Sequence, residues 1–309
     1  MTRETTRGDG GSGDRGQRRV GRRTFLRSGA VAAAGLGGLS AATGSAAAVP
    51  STDAYPRIST RGHFQGGQLV DGETPTSYDL GGDWAGTYDP GSALLVFVHD
   101  WQTSTRFGED VDRVRRVQRG LEDAGYAGST ALYTWDADYG LDLTLGWSTA
   151  EDVAYANGSK LAAFVRDWTA DRGLPVDGGA PLRLVGHGLG ARVVWEALVE
   201  LGTGSVTDAV ASASLLGAAV ENIMPLAPND GPEIAAAADR VDNFYSRDDG
   251  ELRYGFYYTH DGLPALGAVG ARGDGPAAYR DHDATDAISG HDGYADPDGG
   301  VLDRVVATF

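Results

Sequence analysis

Residues 181–198 read PLRLVGHGLGARVVWEAL. PLRLV is a short apolar run of the kind that forms a strand buried on both faces. It breaks at once into the glycine-rich GHGLG. Val194, Ala197, Leu198 and Leu201 then recur at helical spacing, so a helix begins with no linker between it and the strand. Gly186 and Gly190 lack side chains where strand and helix must come close.

The same alternation extends in both directions. Residues 93–98 (ALLVFV) predict a buried strand, followed by a helix over 108–124 with Val111, Val114, Val117 and Leu121 on one face. Residues 129–135 predict the next strand. A helix capped by Ser148 or Thr149 follows, carrying Leu161, Phe164, Val165 and Trp168 at i, i+3, i+4, i+7 and stopped by Gly173 and Pro175. Residues 212–220 and 241–246 predict two more strands, and Leu302, Val305, Val306 and Phe309 a last helix. Residues 57–64 and 75–80 read as strands at a sheet edge. Alternating strands and helices build an α/β fold, a mostly parallel central sheet with helices on both faces. Nothing within 50–309 marks a second domain. Chemistry in such a sheet belongs at the carboxyl ends of the strands, just after Val98, Trp135, Val185, Val220 and Ser246.

The segment LVGHGLGARVV resembles the nucleophile elbow of α/β-hydrolases of the lipase and esterase type, Gly-X-Ser-X-Gly, with Gly188 where the family has serine. Gly186 and Gly190 match the flanking glycines, and His187 and Leu189 the variable positions. The elbow nucleophile of that family sits at positive φ, which glycine adopts without a Cβ clash, so the turn survives the loss of the hydroxyl. The resemblance implies a triad acid after VDNFYS, at Asp249 with Asp248 as the alternative. It implies a triad histidine at His291 in the loop SGHDGY, with His282 and His260 as rivals. It also implies an oxyanion hole from the backbone N–H groups of Leu189 and Trp101. Here the loop after ALLVFV reads His99-Asp100-Trp101, whereas the family pattern is His-Gly followed by an apolar residue. A carboxylate at that point opposes a developing oxyanion. The reading that follows is a non-catalytic binding descendant of an ester hydrolase. The alternative is a weakened ester or acyl hydrolase using His291 and Asp249 with water or another nucleophile. No cofactor is expected.

Residues 1–49 are basic, and GRRTFLR followed by an Ala- and Gly-rich run to Ala46-Ala47-Ala48 resembles a twin-arginine export signal. Residues 50–309 are then the exported domain, tied to a membrane only if the leader is uncleaved. The chain carries a formal charge of −17, a pI near 4.6 and one lysine, Lys160, an acidic composition that resembles proteins of salt-loving archaea. High salt screens the self-repulsion, and the charge argues against nucleic acid as a partner. With no cysteine, disulfides, thiolate nucleophiles and Cys-ligated zinc are excluded.

Other readings remain open. GHGLGA satisfies the dinucleotide fingerprint G-x-G-x-x-A, with Glu221 as the ribose-binding acid, although it stands further along than the usual spacing of about twenty residues. Thr103, Ser104 and Thr105 are the hydroxyls nearest the expected site. Asp281, His282, Asp283, Asp286, His291, Asp292, Asp296 and Asp298 crowd one segment, with no spacing that fits a calcium loop. Tyr254, Phe256, Tyr257 and Tyr258 read as edge-strand packing or a cap over the site.

Overall fold

A computed structural model describes residues 52–309 except 104–107, 140–145, 205 and 207. The leader, Ser104 and Thr105 therefore lie outside the described residues.

Strands β1 (Arg57–Ser59), β4 (Asp79–Gly81), β5 (Leu94–Val98), β6 (Ser129–Thr134), β7 (Leu182–His187), β8 (Ser212–Leu216), β9 (Val241–Tyr245) and β10 (Tyr279–Asp283) form one sheet. Its order is β10-β9-β8-β7-β5-β6-β1-β4, while β2 (Phe64–Gln65) and β3 (Gln68–Leu69) make a separate hairpin. Every neighbour in the large sheet is parallel except the outer pair β1 and β4. The expected mostly parallel sheet is therefore what the chain forms. Of the two segments expected at an edge, that around residue 57 is an inner strand, β1, and β4 lies at the edge.

Alternate side chains of each strand feed two cores. Leu94, Val96, Val98, Leu182 and Leu184 face α3 (Trp147–Thr169) and α4 (Leu189–Gly202). Leu95, Phe97 and Val185 face α2 (Glu109–Asp123) and α8 (Leu302–Val306). β5 is wholly buried. Each of its Leu, Val or Phe side chains contributes roughly 1.5–3 kcal/mol of burial free energy, which makes it the axis of the fold. Short helices α1 (Trp84–Thr87), α5 (Gly231–Ala237), α6 (Tyr257–Thr259) and α7 (Leu266–Val269) fill the connections.

Three local expectations are corrected. α3 starts at Trp147 behind Gly146, whose φ of 112° makes the turn, so neither Ser148 nor Thr149 is the cap. The aromatic run begins in a π-helical turn, Glu251–Phe256, continuous with α6, and is not an edge strand. β10 has the sequence YRDHD and was not anticipated. It pairs on one side only and exposes Arg280, Asp281 and Asp283, so it carries no apolar run.

In-register pairing brings the strand ends level. Val98 of β5 lies opposite Gly186 of β7, and Gly186 opposite Leu215 of β8. The loops after β5, β7, β9 and β10 consequently open on one edge of the sheet. Among the described residues no helix is long and apolar enough to cross a membrane.

Candidate active site

β7 passes into α4 through Gly188 alone, at φ 56° and ψ −120°, a region that costs any side-chain-bearing residue about 1–3 kcal/mol. The flanking glycines are required by packing. A Cβ on Gly186 would sit 2.6 Å from the Cα of Ala191, and one on Gly190 would run into the carbonyl of Val98 at the end of β5.

The space a side chain at 188 would fill is taken. A Cβ built on Gly188 falls onto the carboxylate of Asp100, far inside van der Waals contact. Asp100 comes from the loop after β5. Its Oδ1 accepts the backbone N–H of Leu189 at 2.7 Å, and its Oδ2 accepts from Nε2 of His291 at 3.1 Å. His291 in turn donates from Nδ1 to Oδ2 of Asp249 at 2.7 Å. The result is one buried line, Asp249–His291–Asp100–Leu189 N–H, assembled from four loops or strand ends.

The electrostatics follow from the order of charges. Burial alone would strip the proton from His291, but the hydrogen bonds and charges of Asp100 and Asp249 outweigh it and hold that proton well above the ordinary histidine range. Burial likewise opposes the charge on Asp100, yet its bond to His291, with His187 and Arg113 nearby, keeps the carboxyl well below its usual range. His291 is thus an imidazolium between two carboxylates.

Neighbouring residues fix this line. His99 donates from Nδ1 to the Asp100 carbonyl at 2.8 Å and stacks on Trp135, which sets the loop that carries the carboxylate. Burial lowers the pKa of His187 to about 4. Its Nε2–H donates to the His291 carbonyl at 2.8 Å, leaving Nδ1 to face Arg113 Nη1 at 3.5 Å. Asp100, His187 and His291 hold their ligand-type atoms within 4.8 Å of one another. The two imidazoles are nevertheless stacked, 4.8 Å apart and tilted by 26°. Nearly parallel rings cannot both aim an in-plane lone pair at one ion, and the Arg113 guanidinium lies on the same side, so the set does not fit a metal.

A cavity of about 20 Å³, the space of roughly one water, adjoins the line. Asp100, Trp101, Trp147, Leu189, Ala219, Glu251, Leu252 and His291 form its walls. No hydroxyl-bearing side chain is among them. Trp101 meets Trp147 edge-on at 5.3 Å and donates its indole N–H to the Tyr139 carbonyl. Glu251 enters from the π-helical turn, and burial together with Asp100 and Asp249 raises its pKa despite His291.

The structure places Gly186, His187, Gly188, Leu189, Gly190, Trp101, Asp249 and His291 around this line and its cavity. Asp248 is exposed, and only its backbone N–H is engaged, with Ser246. His282 pairs with Asp242 at 2.6 Å and His260 with Glu151 at 2.6 Å, both away from this line. Thr103 does not line the cavity. Glu221 is bound to the buried guanidinium of Arg192 at 2.8 Å, which accounts for that acid without a ribose. Sequence reasoning missed the destination of the Asp100 side chain. The signal was present as two coincident departures, Asp for Gly at 100 and Gly for Ser at 188, with no indication that one fills the place left by the other.

The parallel sheet, the strand-turn-helix at Gly188, an acid after β9 and a histidine after β10 define an α/β-hydrolase fold. Residues 137–307 match the family described as protein of unknown function DUF726. The chain belongs to that family. No curated protein matches it. Solved structures of similar shape include esterase PE8, at 19% identity over 72% of this chain and 93% of that one, TM-score 0.42. Others are the dienelactone hydrolase of Anabaena variabilis, at 17% over 72% and 85%, TM-score 0.39, and an esterase of Pyrobaculum calidifontis, at 13% over 70% and 76%, TM-score 0.38. These likenesses are loose, and the fold assignment rests on the sheet itself.

Proposed function

We propose that this chain is an exported descendant of ester hydrolases that no longer hydrolyses acyl esters and instead binds a small-molecule or cell-surface ligand. One observation carries the reading. The Asp100 carboxylate fills the space a serine side chain at 188 would need, and it occupies the Leu189 N–H that would otherwise receive an oxyanion. A serine-type attack lacks its nucleophile. A water-based attack lacks a free base, because Nε2 of His291 is committed to Asp100. Export rests on the RRTFLR leader, and high salt is the working environment that the acidic, lysine-poor composition suggests.

The test is hydrolysis of short acyl esters in high salt by three folded proteins: the natural chain, Gly188→Ser, and Gly188→Ser with Asp100→Gly. The natural chain and the single variant are expected to be inactive, since the restored serine meets the carboxylate. The double variant is expected to gain turnover, having both hydroxyl and hole. Turnover by the natural chain would overturn the proposal. Secretion is checked by sequencing the N-terminus of the protein recovered from culture medium, expected near Pro50.

A further inference from the structure

We propose that the segment Glu251–Asp261 is a latched strap over a concealed pocket for a small neutral aromatic ketone, and that His260 on Glu151 is the latch. The proposal rests on the reading of this chain as a binding protein and names the chemistry of its ligand.

The cavity beside Asp100 has space for about one water, so a ligand enters only where a wall moves. One set of walls is fixed to the sheet. Trp101 follows β5, Trp147 and Leu189 open α3 and α4, and Ala219 follows β8. The facing wall is Glu251 and Leu252 in the π-helical turn, an element that is rare and gathers at functional sites. Leu252 and Phe256 are buried, and Phe256 meets Trp147 edge-on at 6.4 Å. Tyr254, Tyr257 and Tyr258 of the same segment stand in solvent.

The strap is held at its two ends. At the first, the backbone N–H groups of Leu252 and Arg253 donate to the side chain and the carbonyl of Asp249. At the other, His260 donates from Nε2 to Oε1 of Glu151 in α3 at 2.6 Å, and its ring lies flat on Phe256 at 3.6 Å. Among the described residues this is the one hydrogen bond from residues 251–261 to any residue outside 247–263. Burial opposes a charge on His260, yet the bond to Glu151 outweighs it and raises the pKa, so the latch is charge-assisted.

The ligand is read from what leaves. Lifting the strap takes Leu252 from the cavity wall and Phe256 from Trp147, vacating the bulk of a branched alkyl group and one phenyl ring. A monocyclic aryl group restores that apolar contact. The indole N–H of Trp147, a residue 7% exposed, has no hydrogen-bond partner among the described residues. A buried orphan donor is rare, and a ketone oxygen on the ligand satisfies it. The Asp100 carboxylate in the wall disfavours an anionic ligand. The open pocket is a minor conformation that its ligand makes dominant.

The probe is acetophenone, titrated by calorimetry in high salt into the natural chain and His260→Phe, with circular dichroism confirming that both are folded. Phenylalanine keeps a ring against Phe256 and loses the bond to Glu151. A pocket open for a fraction of the time binds more weakly by that fraction. His260→Phe is therefore expected to bind about tenfold more tightly, the weight of one net hydrogen bond. In hydrogen exchange, acetophenone should speed exchange over 251–261 in both proteins and leave β5 unchanged, whereas a ligand under a closed strap would slow it. Equal affinity in the two proteins, no binding by either, or slowed exchange over 251–261 overturns the proposal. Its failure leaves the loss of ester hydrolysis standing, because that is decided on acyl esters with substitutions at 188 and 100. Ester turnover by the natural chain would in turn leave these binding results untouched.

Discussion

Gly188→Ala isolates the contact on which the site is built. The new methyl must enter the volume of the Asp100 carboxylate, so the carboxylate has to leave the Leu189 N–H, its 2.7 Å partner. Losing one charge-assisted hydrogen bond costs about 1.5–3 kcal/mol. Alanine at a φ of 56° and ψ of −120° adds about 1–3 kcal/mol of backbone strain. The sum is about 2.5–6 kcal/mol, and for a domain of this size each kcal/mol lowers Tm by roughly 2–4 °C. A fall on the order of 10 °C or more is expected in thermal unfolding at high salt. Asp100→Gly in the same background removes the clash and leaves only the strain. The double variant should therefore be more stable than the sum of the single changes predicts, by a coupling of about 1.5–3 kcal/mol. If Gly188→Ala unfolds within a degree or two of the natural chain, or the two changes simply add, Asp100 does not occupy the place assigned to it.

Two further predictions follow from the charges. The pKa of Asp100 is lowered in the fold, so its contribution is present above the unfolded carboxylate value of about 3.9 and lost as pH falls below it. That of His291 is raised, so its contribution is complete below the unfolded value of about 6.5 and lost as pH climbs through its folded value. Stability should thus peak between about pH 4 and 6.5, and Asp100→Asn should flatten both limbs of the profile in denaturant titrations. Lys160 is fully buried and donates to the Thr74 and Ser77 carbonyls at 2.6 and 2.9 Å. Amine-reactive reagents should spare it in the folded protein and label it after unfolding, and Lys160→Met should cost about 3 kcal/mol by leaving those carbonyls unpaired. Labelling of Lys160 at native stability would refute that placement.

The parts of this molecule legible in its sequence are those where one local pattern decides the outcome. ALLVFV can only be a buried strand, and the glycines of GHGLG follow from close packing that any homologous turn would demand. Asp249 and His291 were legible through their order along the chain, and the choice of Asp249 over Asp248 needed the fold to show which carboxylate turns inward. β10 escaped because a strand paired on one side need not be apolar. The π-helical turn at Glu251–Phe256 escaped because aromatic residues suit an edge strand as well as a helix. Asp100 escaped for a different reason. Its role depends on a residue 88 positions away, and no periodicity links a loop after one strand to the turn after another.

The bond from Leu189 N–H to Asp100 also changes what kind of object α4 is. A helix usually caps its first turn with its own preceding side chain, and Gly188 has none to offer. Here the cap comes from the neighbouring strand's loop, so the start of α4 is completed only when β5 and β7 are already side by side. The helix end acts as a lock on strand order, engaged by assembly of the sheet's centre and released with it. The first turn of α4 thereby shares the cooperativity of β5 and does not fray as an independent end.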